Sequence, residues 1–318
     1  APEHGFRGMA DAGEHVNNSI DTKTQTPIVS LYGDNKKPKP EQLKDIDILV
    51  FDIQDVGVRF YTYISTLQYV MEACAENNKP LLILDRPNPN GHYVDGPVLE
   101  NENKSFVGMQ AVPVVYGMTI GEYAKMLNGE KLLANNVQCA LTIIPCLNYD
   151  HKTFYDLPVK PSPNLPNMAA IYLYPSLCFF EGTDYVSLGR GTTKPFQIYG
   201  SNQFTGKLPF SFIPKSIDGA KTPPLLGKQC IGYDLSNISL DSLRKQKFTL
   251  KYLLNAYKLS TEKTKFFNSF FVKLSGTNQL AAQIQKGESE KSIRATWTPA
   301  LVKFKAIRKK YLLYKDFE

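Results

Sequence analysis

Apolar and polar residues alternate in blocks over the first 185 residues, and the blocks predict strands that take turns with helices. The apolar runs typical of buried strands cover residues 28–32, 46–53, 80–84, 112–115 and 137–144. Apolar residues at helical spacing predict a helix over residues 61–78. A capping box of Thr119 and Glu122 predicts a second helix. This β-α-β order predicts an α/β fold with a mostly parallel, doubly wound sheet.

The sequence changes character after residue 200, because residues 201–228 are rich in Pro, Gly, Lys and Ser. Such a stretch is typical of a domain boundary or of a long loop. Beyond it we expect a helix over residues 250–258, a strand over residues 270–274, and a helix over residues 299–314 with Thr298 as its N-cap. The pattern therefore predicts a larger α/β domain over residues 1–200 and a smaller α+β domain over residues 201–318.

Composition narrows the class of protein without defining a function. The 318 residues are 42% hydrophobic and 21% charged, which is typical of a globular protein. No apolar run approaches the roughly 18 residues of a membrane span. Part of the net charge of +7 lies in residues 303–315, where we expect a solvated helix face rather than a nucleic-acid site. The five cysteines form no CxxC pair, so neither a zinc site nor a disulfide framework is predicted.

The stretch of residues 51–63, FDIQDVGVRFYTY, places two acids, an amide, an arginine and two tyrosines where a predicted strand gives way to a helix. In α/β proteins this carboxyl edge of the sheet is where ligands bind, and buried charges cost desolvation energy unless something uses them. The structural alternative is that Arg59 pairs with one acid and that the tyrosines belong to the core. We expect a site here, and its candidate residues are Asp52, Gln54, Asp55, Arg59 and Tyr61.

Four other segments hold chemically useful side chains in stiff or glycine-rich surroundings. The motif EHGFRG at residues 3–8 puts a glutamate beside a histidine and an arginine, where a carboxyl group can be tuned for proton transfer. Residues 85–91 and 161–164 are proline-rich loops that would fix polar side chains in place. Residues 181–193 offer an arginine suited to a carboxylate. The candidates in these segments are Glu3, His4, Arg7, Asp85, Arg86, Asn88, Asn164, Glu181 and Arg190.

Each of these segments also has a plain structural explanation: a solvated tail, a tight turn, or an ordinary glycine-rich loop. The motifs GxGxxG, GxxxxGK[ST] and GxSxG do not occur in the sequence, and His15, His92 and His151 share no metal-ligand spacing. We therefore expect neither a serine hydrolase nor a metal site.

Taken together, the segments resemble the exo-β-N-acetylmuramidase family, formerly a bacterial domain of unknown function. The matching motifs run over nearly the whole chain and lie at residues 3–8, 51–62, 84–91, 95–97, 161–166, 181–195, 273–276 and 311–314. The resemblance implies a secreted or periplasmic glycoside hydrolase that removes N-acetylmuramic acid from the non-reducing ends of peptidoglycan fragments. It also implies a Rossmann-like domain that holds the active site, a smaller C-terminal domain, and no metal or nucleotide cofactor.

The resemblance implies a role for one residue, and we add hypotheses for the others. The family's leading catalytic candidate is the glutamate of its Glu-His-Gly motif, which is Glu3 here, and we expect it to act as general acid or acid/base with His4 tuning it. The expected second carboxylate is Asp52 or Asp55, then Glu181, with the substrate's acetamido group as an alternative nucleophile. The arginines expected to hold the lactyl carboxylate of muramic acid are Arg59, Arg86 and Arg190.

Two departures from the family pattern limit how far the roles of family residues can be transferred to this sequence. Family members usually have a further strand and helix before the glutamate, whereas this sequence begins two residues before it, and without that strand we expect Glu3 to be loosely held. The usual His-Gly-Met-Thr is YGMT at residues 116–119, so no role passes to that histidine. Two other functions stay open: a non-catalytic cell-wall sugar-binding module, and an esterase or amidase acting on acylated sugars, which the missing GxSxG motif disfavours.

Overall fold

The computed structural model describes residues 1–6, 8, 10, 14 and 17–318, so that the candidate Arg7 lies outside the described residues. Its strands are β1 (Ser19–Ile20), β2 (Pro27–Ile28), β3 (Leu49–Phe51), β4 (Leu81–Leu84), β5 (Asp95–Val98), β6 (Pro113–Val115), β7 (Leu141–Ile144), β8 (Ile198–Ser201), β9 (Phe210–Phe212) and β10 (Cys230–Asp234). Its helices are α1 (Pro40–Leu43), α2 (Tyr63–Glu76), α3 (Ile120–Gly129), α4 (Met168–Leu177), α5 (Leu240–Gln246), α6 (Lys251–Leu259), α7 (Phe271–Ser275), α8 (Gln279–Gln285) and α9 (Glu290–Lys309).

A parallel sheet in the order β3-β4-β7 organises the first part of the chain. Leu81 and Ile83 of the central strand are almost fully buried, as the continuous apolar run of this strand predicts. The predicted helix over residues 61–78 is confirmed by α2, and the predicted capping box is confirmed at α3, where Thr119 N donates to Glu122 Oε2 at 2.9 Å. The predicted α/β class, with a smaller C-terminal domain, is therefore confirmed.

Two of the five predicted strands do not join the parallel sheet. The run at residues 112–115 forms β6, which pairs antiparallel with β5. The run at residues 28–32 shortens to β2 and pairs antiparallel with β1. An apolar run indicates a buried, extended segment, but it does not indicate which strand that segment pairs with. Because both runs pair antiparallel with other strands, their assignment to the parallel sheet was wrong.

The C-terminal part contains an antiparallel sheet in the order β8-β10-β9 and the helices α5 to α9. Strand β8 spans the predicted division at residues 200 and 201 and pairs with residues 231–234, so a division at that point would cut this sheet. The strand predicted over residues 270–274 was wrong, because this segment forms helix α7 with Phe271 and Leu274 buried three residues apart. A short apolar run fits either element, and tertiary packing decides between them.

The start predicted for the last helix was also wrong. Helix α9 begins at Glu290, where Ser289 is the N-cap and its Oγ accepts a hydrogen bond from Ser292 N at 3.1 Å. Pro299 therefore lies inside the helix rather than in its first turn. Buried contacts along α9, through Ile293, Trp297 and Phe304, offset the loss of one backbone hydrogen bond at the proline. Within the described residues, no helix combines the length and apolar character needed to cross a membrane.

Candidate active site

A cavity of about 260 Å³ lies at the amino end of α2 and is called the first cavity below. It is bounded by the N-terminal segment, by the residues that lead into α2, and by loops of the C-terminal part. Its wall carries two acids and one arginine among aromatic rings. The lining residues are Glu3, His4, Tyr32, Phe60, Tyr61, Thr62, Phe106, Val107, Ser162, Leu165, Tyr174, Glu181, Arg190, Phe196 and Phe270.

Glu3 is held firmly in the wall of the first cavity. Tyr32 donates its hydroxyl hydrogen to Oε1 at 2.9 Å, and Thr62 donates its own to Oε2 at 2.9 Å. The Tyr63 hydroxyl also donates to the backbone carbonyl of Glu3 at 3.2 Å. The expectation of a loosely held Glu3 was therefore wrong. His4 follows with a left-handed φ of 69°, and its Nδ1 donates to the Ala10 carbonyl at 2.8 Å.

Glu181 and Arg190 form an ion pair in the wall of the first cavity. Nε and Nη2 of Arg190 donate to Oε1 of Glu181 at 2.9 and 2.6 Å. Burial alone would lower the pKa of Arg190, but the charge and hydrogen bonds of Glu181 outweigh burial and raise it. Two glycines with positive φ, Gly189 at 87° and Gly191 at 78°, flank the arginine and allow the turn that presents it. Among the described residues, its Nη1 makes no hydrogen bond.

Aromatic rings make up most of the remaining wall. Tyr61 packs edge-on against Tyr63 and Tyr174, with ring centroids 4.9 and 6.1 Å apart. Its hydroxyl donates to the Pro161 carbonyl at 2.7 Å, and burial raises its pKa well above the usual value. The guanidinium of Arg190 lies 5.0 Å from the centre of the Phe196 ring. Flat apolar faces beside a few fixed polar groups suit the binding of a sugar.

The acids predicted at the carboxyl edge of the parallel sheet do not line the first cavity. Asp52 forms an ion pair with Arg86 at 2.6 Å, and both side chains are more than 40% exposed. Asp55 is buried, and its Oδ2 accepts hydrogen bonds from Gly57 N at 2.6 Å and from the Tyr116 hydroxyl. Burial raises the pKa of Asp55 to about 6.

The loop after β4 is likewise bonded to the protein itself. Asp85 accepts hydroxyl hydrogen bonds from Thr119 at 2.7 Å and from Tyr314 at 2.6 Å, and burial raises its pKa. Asn88 donates to the Met118 carbonyl at 2.8 Å. Gln54 donates to the carbonyls of Asp55 and Pro87, each at 2.8 Å, and so connects two loops. These side chains shape the edge of the sheet, and none of them lines the first cavity.

Arg59 lies fully buried between the two parts of the chain. Nη1 donates to the carbonyls of Pro97 and Val112, and Nη2 to those of Leu274 and Ser275, at distances of 2.7 to 2.9 Å. None of the acids that the structure describes pairs with it, and burial lowers its pKa to about 9. Four carbonyls thus surround the guanidinium, and it does not line the first cavity.

Asn164 is buried beside a second cavity, of about 300 Å³. Its Nδ2 donates to the Gly219 carbonyl at 2.7 Å. The second cavity is lined by Glu181, Thr183, Arg190 and the loop of residues 219–224, so the ion pair of the first cavity also borders this one.

The structure thus brings together Glu3, His4, Tyr61, Glu181 and Arg190 from the predicted set, and it adds residues that the sequence interpretation missed. Thr62 and Tyr32 hold the Glu3 carboxylate. Thr62 belongs to the motif of residues 51–62, and Tyr32 ends a predicted strand, but neither pattern indicates which carboxylate they would contact. Among the described residues, no group of three or more His, Cys, Asp or Glu side chains is placed to hold a metal ion.

Comparison with known proteins extends these observations. The profile for the N-terminal region of the exo-β-N-acetylmuramidase NamZ matches residues 1–169, and the profile for its C-terminal region matches residues 172–314. The chain is 41% identical to the peptidoglycan β-N-acetylmuramidase NamZ of Bacillus subtilis strain 168, over 98% of this chain and 78% of the relative. Glu3 comes from the first matched region, whereas Glu181 and Arg190 come from the second.

Two crystal structures of DUF1343 family proteins from Bacteroides fragilis have a similar fold. One superposes with a TM-score of 0.91 at 52% identity, over 99% of this chain and 84% of the other. The second superposes with a TM-score of 0.76 at 32% identity, over 99% of this chain and 85% of the other. Both domains of the fold therefore recur in these proteins.

Proposed function

Because this chain belongs to the NamZ exo-β-N-acetylmuramidase family, we propose that it removes N-acetylmuramic acid from the non-reducing ends of peptidoglycan fragments. The observation that carries the proposal is that Glu3, Glu181 and Arg190 line one cavity although they are far apart in the sequence. Glycosidic cleavage needs an acid for the leaving oxygen and a second group that stabilises or attacks the sugar carbon. The first cavity offers both carboxyl groups to one occupant.

Glu3 is the proposed general acid. As the bond between C1 of the sugar and the glycosidic oxygen breaks, the proton of Glu3 passes to that oxygen. A water molecule then supplies hydroxide to C1, and its remaining proton returns to Glu3. The hydroxyl groups of Tyr32 and Thr62 keep the carboxyl group in one orientation throughout.

Glu181 is the proposed second carboxylate, in place of Asp52 or Asp55, because it lines the first cavity and they do not. Its Oε1 is held by Arg190 and its Oε2 accepts a weak hydrogen bond from the Cys178 thiol at 3.6 Å. A carboxylate fixed in this way stabilises the positive charge that develops at the sugar carbon.

Arg190 is the proposed contact for the lactyl carboxylate that distinguishes muramic acid from glucosamine. Glu181 uses Nε and Nη2, which leaves the Nη1 donors for a second carboxylate. The candidates Arg59 and Arg86 are bonded elsewhere, to backbone carbonyls and to Asp52. Since the substrate is cell-wall material, we also propose that the protein acts in the periplasm or outside the cell.

The role of Glu3 is tested by changing the leaving group. For a disaccharide of N-acetylmuramic acid and N-acetylglucosamine, Glu3→Gln should lower kcat/KM by about 10²- to 10⁴-fold, as loss of a general acid does. For the 4-nitrophenyl glycoside the loss should be much smaller, because nitrophenolate leaves with little help from a proton. Glu102→Gln, an exposed glutamate outside the cavity, is the matched control.

Three outcomes would count against this proposal. Near-normal turnover of both substrates by Glu3→Gln would remove Glu3 from the role of acid. Equal losses on both substrates would assign it another role. Binding of the disaccharide by the wild-type protein without any release of sugar would make the protein a binding module rather than a hydrolase.

The role of Arg190 is tested by comparing two chromogenic glycosides, one of muramic acid and one of glucosamine. We expect Arg190→Gln to lower the wild-type preference for the muramic acid glycoside by about tenfold, the value of a lost charged hydrogen bond. Arg190→Lys, which keeps the charge without the planar fork, should retain part of the preference. An unchanged preference in both variants would show that another group binds the lactyl carboxylate.

A further inference from the structure

The second cavity adjoins the first. Glu181 and Arg190 border both cavities, and the ion pair that these residues form is therefore common to the two walls. The second cavity is the larger of the two, at about 300 Å³ against about 260 Å³, and it opens more widely to solvent. A ligand longer than one sugar could therefore have neighbouring sugars on the two sides of this ion pair.

The loop that forms the far wall of the second cavity is fixed by the protein. Asn164, which is 4% exposed, donates from Nδ2 to the Gly219 carbonyl at 2.7 Å. Ile217 and Ala220 exchange two backbone hydrogen bonds of 3.2 and 3.0 Å across the turn. At Gly191, which has a φ of 78°, an added Cβ would lie 2.4 Å from Pro223, so the loop packs directly on the turn that presents Arg190. Such a wall is formed before any ligand binds.

The groups on this wall suit a saccharide better than an apolar molecule. The Thr222 hydroxyl and the Lys221 ammonium can donate to sugar hydroxyl and carbonyl oxygens. The Thr183 hydroxyl donates to the Phe180 carbonyl at 2.7 Å and can accept a hydrogen bond from a sugar hydroxyl. The rings of Pro223 and Pro224 offer a small apolar surface beside them. Lys221 is 61% exposed and pairs with Glu14 at 2.9 Å, and an exposed pair of this kind is weak enough to exchange for a ligand.

We propose that the second cavity is the subsite for the leaving group, where the sugar on the reducing side of the cleaved bond binds. This inference rests on the proposed function. The ligand class is a hexosamine residue of the glycan chain, and the ion pair of Glu181 and Arg190 then lies beside the bond that is cleaved. Asn164 is a positioning residue, because it holds the loop of residues 219–224 without lining either cavity itself.

The experiment compares two substrates that share the muramic acid residue and differ in the leaving group. One is the disaccharide with N-acetylglucosamine as the leaving group, and the other is the 4-nitrophenyl glycoside. Thr222→Trp fills the second cavity, and Asn164→Ala removes the anchor of its loop. Thr264→Trp, at an exposed threonine outside both cavities, is the control. The readout is the ratio of kcat/KM for the disaccharide to kcat/KM for the aryl glycoside.

We expect Thr222→Trp to lower this ratio by about tenfold or more, and Asn164→Ala to lower it in the same direction by less. The control should keep the wild-type ratio. Because a partly unfolded variant loses both activities together, misfolding does not change the ratio. An unchanged ratio in both variants, while the wild-type protein hydrolyses both substrates, would overturn this inference alone. Failure of the wild-type protein to hydrolyse either substrate would overturn the proposed function and this inference with it.

Discussion

The carboxyl edge of the parallel sheet and the first cavity contain similar side chains but use them differently. At the edge, Asp55 and Asp85 are bonded to the hydroxyls of Tyr116 and Tyr314, and Asp52 forms a solvent-exposed ion pair with Arg86. In the first cavity, Glu3 and Glu181 are also bonded, yet they border a space of about 260 Å³. This difference indicates that a dense group of polar residues identifies a binding site only where the group lines a cavity.

The edge of the sheet is closed by the end of the chain. The Tyr314 hydroxyl donates to Asp85 at 2.6 Å and accepts a hydrogen bond from Cys146 N at 2.9 Å. Oε1 of the buried Glu122 accepts hydrogen bonds from the backbone N–H of Leu313 at 2.9 Å and of Tyr314 at 3.3 Å. The position where many α/β proteins bind a ligand is thus occupied by residues of the same chain.

The largest effect is expected at Arg59, which was predicted to bind substrate and instead donates hydrogen bonds to four backbone carbonyls. Arg59→Met keeps the length of the side chain but leaves those carbonyls without a donor, so we expect the free energy of unfolding to fall by about 3–5 kcal/mol. Urea unfolding measures the loss. A fully stable variant that has lost activity would instead place Arg59 at the site of catalysis.

The titration of Asp55 provides a second test, because it makes the free energy of unfolding depend on pH. Its pKa is raised to about 6 in the folded protein, so the folded state holds the proton more tightly than the unfolded state does between pH 4 and 6. The contribution of Asp55 to stability is therefore retained below pH 4 and falls by about 3 kcal/mol as the pH rises through 6.

Asp55→Asn removes this titration. The stability of the variant relative to wild type should therefore rise by about 3 kcal/mol between pH 4 and pH 7. Chemical unfolding at several pH values measures the difference, and other titrating groups cancel in it. A difference that stays constant with pH would mean that Asp55 is not a buried structural acid.

The smallest effect is expected at the exposed pair of Asp52 and Arg86. Both side chains are more than 40% exposed, so the pair is screened by solvent and Asp52→Asn should cost less than about 1 kcal/mol of stability. We also expect kcat/KM on the disaccharide to stay within about twofold of wild type. A large loss of activity without a loss of stability would indicate that the catalytic site lies at the edge of the sheet.

Much of the fold follows from the sequence where the signal is local. The helix over residues 61–78 and the capping box of Thr119 and Glu122 depend on neighbours within a few residues, and the structure contains both. Strand partners depend on distant residues, which is why the runs at 28–32 and 112–115 were assigned to the wrong sheet. Pro299 misled the prediction of α9 because packing of Trp297 and Phe304 outweighs the local cost of a proline.

The candidate site shows the same limit. The motifs at residues 3–8 and 181–193 pointed to Glu3, Glu181 and Arg190, which the structure brings to one cavity. The sequence could not reveal that Tyr314 bonds to Asp85 across 229 residues, or that Arg59 reaches the carbonyls of Leu274 and Ser275. Both contacts turn apparent ligand-binding groups into structural ones, and neither leaves a local pattern.

The most direct test of the central claim is a crystal structure of Glu3→Gln with the muramic acid disaccharide bound. Our account predicts the muramic acid residue in the first cavity, with its glycosidic oxygen within hydrogen-bond distance of residue 3 and its lactyl carboxylate on Arg190. Density for the sugar beside Asp52 and Arg86 at the edge of the sheet, with the first cavity empty, would contradict it.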